Sequence, residues 1–255
     1  MQHRPWFLGE HVDKPLARLF CFPYAGGNAA AFVAWTRFLP AGCDLCAVQL
    51  PGRANRLKDR AFHDMPRMIS ALVDAVQPHL DLPAIFFGHS LGAILAFELA
   101  RRLADRPALR HLVVSGCRAP ANWPSPKSKA LAALEGGQFL DALKAHEGVS
   151  KEMAKNDALL RFFLPILKAD FDVVASYRYA AGEALDMPLT VLGGRGDRLT
   201  PAESLAAWQS ECRRPIALHL FDGDHFFIEQ QRNAVLSLLA RIFRQAVSGE
   251  EPRPP

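Results

Sequence analysis

The chain has 255 residues, with 30 Lys plus Arg against 26 Asp plus Glu, for a formal charge of +4 with His neutral. Half of the residues are hydrophobic and 22% are charged, which excludes a disordered chain and supplies enough apolar surface for a full core. The basic residues are scattered and aromatic residues total only 9%, so nothing here points to a nucleic-acid partner.

Met1-Gln2-His3-Arg4-Pro5-Trp6 is followed by polar and charged residues where a signal peptide would carry an apolar run, and no stretch of 18 apolar residues occurs. Neither export nor a membrane span is expected, and the cytoplasm is the expected compartment. The first strand is expected at 17–22 and a helix at 29–38, followed by a strand at 43–49. That strand contains Cys43-Asp44-Leu45-Cys46. No second pair or nearby His completes a zinc set, and strand residues three apart point to opposite faces, so both thiols are expected in the core. The five cysteines, an odd number spread over the chain, do not make a disulfide framework. A helix at 66–77, a strand at 84–87 and a helix at 91–103 come next, then a strand at 112–115. After an interruption, a strand at 189–192, a helix at 201–211, a strand at 217–221 and a helix at 233–247 close the pattern, with a frayed tail at 248–255. Short strands of Leu, Val, Ile, Phe and Ala alternating with helices predict an α/β fold with a mainly parallel sheet covered on both faces. The interruption, about 118–181, holds helical patterns and no convincing strand, and reads as a helical lid inserted into a single domain spanning 1–255.

The most informative stretch runs from Ala84 to Glu98. A buried strand enters Gly88-His89-Ser90-Leu91-Gly92 and passes directly into an apolar-periodic helix, the context of a nucleophile elbow. Ser90 is expected on a strained turn, with Gly88 and Gly92 needed because side chains there would collide across it. The following helix aims its unpaired N–H groups at the charge that develops in acyl transfer.

A serine hydroxyl needs a base and an orienting acid, which in this context follow in the order Ser, acid, His. After Ser90 come His111, His146, His219 and His225. His111 and His219 fall in strands and His146 in the insertion. His225 alone follows the last strand on a loop at its carboxyl end, where ligands gather in open parallel sheets. The strand at 112–115 offers no acid before Glu135, whereas the next delivers Asp197 on the turn Gly193-Gly194-Arg195-Gly196-Asp197. Asp222 and Asp224 read as turn formers. Oxyanion stabilisation needs two N–H donors. Leu91 is one candidate, and the loop Phe22-Pro23-Tyr24-Ala25-Gly26-Gly27-Asn28 is the source of the other.

Six segments in this order give the chain a resemblance to the type II thioesterases that accompany modular nonribosomal peptide and polyketide synthases. They are 22–27, 50–53, 88–92, 164–171, 193–197 and 223–227. The resemblance implies an α/β-hydrolase fold, a triad of Ser90, Asp197 and His225, and an oxyanion hole of the Ala25 and Leu91 N–H groups. It implies substrate contacts near Tyr24 and Phe226, with Tyr24 standing where the family often has His and Lys168 where it often has Arg. The implied reaction is hydrolysis of acyl or aminoacyl thioesters on the phosphopantetheine arm of acyl or peptidyl carrier protein domains, an editing role. The enzyme itself is expected to hold no cofactor or metal, to act as a monomer, and to have an apolar acyl pocket under the lid.

The basic run Arg53, Arg56, Lys58 and Arg60, with Lys127 and Lys129, is a candidate docking surface for an acidic carrier. A free-standing esterase or lipase on small oxygen esters would use the same triad and gain nothing from a carrier. A non-catalytic binding protein is disfavoured because every catalytic position holds a competent residue. An excised cyclising thioesterase shares the motifs, but a chain beginning so close to its first strand is expected to act as a discrete enzyme.

Overall fold

The computed structural model describes residues 6–10 and 12–249. Strands β1 (Phe7–Leu8), β2 (Ala17–Phe22), β3 (Cys43–Val48), β4 (Ala84–His89), β5 (Leu109–Ser115), β6 (Leu189–Gly194) and β7 (Ala217–Phe221) form one sheet of order β1-β3-β2-β4-β5-β6-β7. Only β1 is antiparallel to its neighbour. The helices are α1 (Ala30–Val33), α2 (Met65–Val76), α3 (Leu91–Arg102), α4 (Pro126–Ala132), α5 (Gly136–Lys144), α6 (Lys151–Lys155), α7 (Asp157–Ser176), α8 (Ala202–Leu205), α9 (Phe227–Gln230) and α10 (Arg232–Ser248).

The central strands are buried throughout, and their side chains alternate between the two faces with period two. On β2, Phe20 and Phe22 join an apolar cluster with α2 and α3, whereas Leu19 and Cys21 join a second cluster with α1 and α10. On β3, Cys46 faces the first cluster and Cys43 the second. The Cys-x-x-Cys pair is therefore split across the sheet, and all five cysteines are buried and free.

The strand bounds at β2 and β7 are those expected; β4 and β6 run two residues further and β5 starts three residues earlier. Two expected helices are only partly α-helical. The stretch 29–38 is α1 followed by a 3₁₀ turn at Thr36–Phe38, and 201–211 is α8 followed by a 3₁₀ helix at Ala206–Glu211. In both, large apolar side chains three apart are buried, Phe32 with Trp35 and Leu205 with Trp208. Three-residue winding eclipses such pairs and sets both against the same core face. The pair β1 was not expected; two residues at a sheet edge carry no periodicity.

Between β5 and β6 the sheet is interrupted by α4 to α7, and among the described residues 118–181 contains no strand. These helices have an apolar cluster of their own, including Leu131, Phe139, Leu143, Leu160, Leu167 and Phe171, which also packs against Ala25 after β2. Asn156 caps α7 through the Leu159 N–H, and Ser125 caps α4 through that of Ser128. No helix among the described residues is long and apolar enough to cross a membrane. The segments 1–5 and 250–255, including most of the expected tail, lie outside the described residues.

Candidate active site

Chain order leaves β2 between β3 and β4, so successive connections run in opposite directions from the β2/β4 boundary. Crevices form at such points, beyond the carboxyl ends of the strands. The loop after β2 and the turn after β4 both open there, and β6 and β7 bring their own loops to the same end.

Ser90 joins β4 to α3 at φ 54°, ψ −118°, outside the regions an L-residue ordinarily occupies. The turn is held by the Ser90 N–H donating to the Ser115 carbonyl at 2.8 Å. A Cβ on Gly88 would stand 2.0 Å from the Gly92 carbonyl oxygen, and one on Gly92 would stand 2.1 Å from that of Phe22. Both glycines are thus required by close backbone approach, and Gly92 sets α3 directly against the start of the β2 loop.

His225 Nδ1 and Asp197 Oδ2 are 2.8 Å apart, with both side chains buried. The other oxygen of Asp197 accepts from the N–H groups of Leu199 at 2.9 Å and Thr200 at 3.1 Å. With Nδ1 donating to Asp197, the free electron pair of His225 lies on Nε2, which is buried and has no protein partner among the described residues. Ser90, Leu91, Ala25 and His225 line one cavity of about 60 Å³. Asp224 accepts from the Phe226 N–H and Asp222 pairs with Arg195, so these two acids shape the turn beside His225.

The loop after β2 is immobilised from the insertion. Gly26 N–H donates to Asp170 Oδ2 at 2.7 Å, and Gly27 N–H donates to the Tyr24 carbonyl at 2.9 Å. Among the described residues the Ala25 N–H has no acceptor, and Leu91, the first residue of α3, has none within its helix. Arg53 forks Asp170 with contacts of 2.8 and 2.6 Å and donates to the Gly27 carbonyl at 2.9 Å. Arg53 is 2% exposed, which corrects its expected place on a docking surface: a guanidinium with these partners is internal. Arg56 is largely covered too, over the Trp6 ring at 4.1 Å. Lys58, Arg60, Lys127 and Lys129 are exposed.

Tyr24 and Phe226 meet edge to face at 5.2 Å and line an adjacent cavity of about 250 Å³ with Glu229. The Tyr24 hydroxyl donates to Glu229 at 3.3 Å. Burial pushes both groups up; Glu229 raises Tyr24 further, whereas the Tyr24 hydrogen bond pulls Glu229 partly back down. His89 is fully buried beside His225, with ring centroids 5.1 Å apart, and lies 2.9 Å from Ser115 Oγ. Burial, then the proximity of His225, holds its pKa well below the usual imidazole range. Lys168 ties α7 to the rest of the insertion through the Ala132 carbonyl at 3.1 Å and Glu135, and pairs with Asp172 on α7 itself.

The cavity at Ser90 is lined by Trp123, Phe171 and Val174 but equally by Arg118, Ser125, Ser128, Thr200 and His146. An apolar acyl pocket was expected; the polar side chains arrive from the insertion and the β6 loop, whose packing has no short-range sequence signature. The sequence assigns no role to Asp170, within the segment 164–171, or to His146. Asp170 had one signal, an acid between Ala169 and Phe171 on the buried stripe of an apolar helix.

A strained serine between strand and helix, followed in chain order by a buried Asp–His pair at the same carboxyl end of the sheet, defines a serine hydrolase of the α/β-hydrolase fold. The family model described as Thioesterase domain matches residues 17–243. The chain belongs to the thioesterase family, and it is a thioester hydrolase. It is 33% identical over 246 residues to the gramicidin S biosynthesis protein GrsT of Aneurinibacillus migulanus, covering 95% of each chain. Among solved structures, RedJ, a thioesterase from the prodiginine pathway of Streptomyces coelicolor, is 32% identical with a TM-score of 0.82, covering 91% of this chain and 93% of that one. The type II thioesterase BorB of the borrelidin cluster is 28% identical with a TM-score of 0.81, covering 94% and 96%.

Proposed function

We propose that this thioesterase hydrolyses acyl and aminoacyl thioesters carried on the phosphopantetheine arm of carrier protein domains, clearing stalled or wrongly loaded carriers of a modular synthase. The observation that carries the chemistry is the Asp197–His225 pair at 2.8 Å beside the cavity that Ser90 lines. In this reading Asp197 fixes the tautomer of His225, leaving Nε2 as base. Ser90 Oγ attacks the thioester carbonyl carbon while His225 Nε2 takes its proton. The Ala25 and Leu91 N–H groups receive the oxyanion, each donor lowering the barrier by about 3–4 kcal/mol. The C–S bond then breaks and His225 returns the proton to the departing thiol. Water attacks the acyl-enzyme with His225 again as base, releasing the acid and restoring Ser90.

Side chains, backbone and water supply every step in this scheme, and phosphopantetheine enters only as part of the substrate. The α4–α7 insertion is read as a lid over an undivided domain, the cavity beside Tyr24 and Phe226 as the approach of the arm, and the Ser90 cavity as the acyl site. The relatives from antibiotic pathways support the carrier-borne substrate, and a monomer working in the cytoplasm fits this role.

The test is hydrolysis of one acyl group on carrier protein, on coenzyme A and as a simple oxygen ester, with the Ser90→Ala variant in parallel. Carrier-borne thioester should be preferred, and Ser90→Ala should lose at least ~10⁴-fold in kcat while remaining folded. Equal turnover of the oxygen ester would make the protein a general esterase instead.

A further inference from the structure

His146 lines the Ser90 cavity and has no part in the reaction scheme. It lies in the turn between α5 and α6, where its N–H donates to the Leu143 carbonyl at 3.0 Å and its own carbonyl accepts from the Val149 N–H at 3.0 Å. Two further contacts fix the ring. The Gly148 N–H donates to Nδ1 at 3.0 Å, and Phe171 meets the ring with centroids 5.4 Å apart. A Cβ on Gly148 would stand 2.8 Å from the ring. The bare glycine is what allows the backbone to close on Nδ1.

An Nδ1 that accepts a hydrogen bond carries no proton, so in the neutral ring the proton sits on Nε2. Burial, with His225 nearby adding to it, lowers the pKa of His146 to about 4. The ring is therefore neutral at pH 7. Its Nε2–H is buried and has no protein acceptor among the described residues, on a side chain that lines the same cavity as Ser90 and His225. Buried donors are almost always paired, and an unpaired one in a binding cavity is matched when a ligand brings an acceptor.

We infer that the Nε2–H of His146 recognises an oxygen acceptor on the acyl group near its thioester, such as a hydroxyl or carbonyl on the third carbon. The inference rests on the thioesterase reading of the Ser90 cavity and adds selectivity to it. A plain alkyl chain leaves the donor unmatched, and sites built around a buried hydrogen-bonding group discriminate against the analogue that lacks its partner. An acyl group carrying an ammonium there would present donor to donor.

The experiment compares kcat/KM of the full chain on carrier protein loaded with butyryl or with 3-hydroxybutyryl groups, for the wild type, His146→Leu and His146→Gln. The reading is the ratio of the two substrates within each protein, which cancels losses common to both. The wild type should favour the hydroxylated group roughly tenfold. His146→Leu should bring the ratio close to one, and His146→Gln, whose amide N–H reaches the place of Nε2–H, should restore much of it. An unchanged ratio in His146→Leu would overturn the inference while leaving the thioesterase reading intact. Failure of the wild type to hydrolyse either carrier-borne group would overturn both.

Discussion

Asp170, two turns from the end of α7, holds the N–H of Gly26 at 2.7 Å and so ties the helical insertion to the loop after β2. Arg53 completes the link by contacting both Asp170 and the Gly27 carbonyl. The carboxylate and guanidinium are almost wholly buried, so each is the other's principal compensation for leaving water. Removing one partner of such a pair costs about 3–5 kcal/mol, whereas replacing both with apolar groups is often neutral.

Asp170→Asn should therefore lower the thermal midpoint by about 10 °C. Arg53→Met combined with Asp170→Leu should recover most of that loss but not the turnover, because Gly26 still lacks its acceptor and the neighbouring Ala25 N–H is no longer held in place. Calorimetry and kcat on acyl carrier protein, measured on the same samples, separate the two effects. Full recovery of kcat in the double variant would show that the pair serves stability alone.

Asp197 offers a sharper substitution. Its Oδ1 accepts two backbone N–H bonds and its Oδ2 faces His225 Nδ1. In Asp197→Asn the amide oxygen can keep the backbone contacts, which turns the NH₂ group toward Nδ1. That favours the tautomer with its proton on Nε2, the wrong one for taking a proton from Ser90. The expected loss is ~10⁴-fold in kcat with near-native folding. A loss below about tenfold would mean that Asp197 does not orient His225 in the working enzyme.

What was readable in the sequence and what was not divide along one physical line. Ser90, Asp197 and His225 each follow a strand of strong local pattern, and strand ends define where they sit. Gly88 and Gly92 were readable for the same reason: a tight turn leaves no room for a Cβ. Arg53 was read as a surface charge because it stands among Arg56, Lys58 and Arg60, and its partner Asp170 lies 117 residues away. His146 falls in the insertion, where the sequence gives it no role. Its proximity to His225 depends on how α4 to α7 pack together, which their individual periodicities do not encode.

With Arg53 internal and Arg56 mostly covered, any electrostatic attraction of a carrier falls to Lys58, Arg60, Lys127 and Lys129, all exposed. Exposed charges steer encounter more than they stabilise a complex, and salt screens them over about 10 Å at 0.1 M. Lys58→Glu with Arg60→Glu should raise KM for acyl carrier protein several-fold at low salt and leave kcat near wild type. Acyl pantetheine, which lacks the protein, should be unaffected. An equal change for both substrates would remove these residues from carrier recognition.

Stability should fall as pH drops below neutrality, and His111 is the cleanest contributor. It is buried, with Nε2 2.8 Å from Thr190 Oγ1, and burial alone lowers its pKa to about 4. The unfolded imidazole titrates near 6.5. Between pH 6.5 and 4 the unfolded chain binds a proton that the folded chain refuses, so folding weakens by about 1.4 kcal/mol per pH unit per such group. His89 and His146, also lowered by burial, act in the same direction. His111→Gln keeps a polar group toward Thr190 without a titrating ring. Urea unfolding at pH 7, 6 and 5 should show a flatter decline for this variant than for the wild type, the gap widening as pH falls. Parallel declines would mean that His111 takes up its proton in the folded state as readily as in the unfolded one.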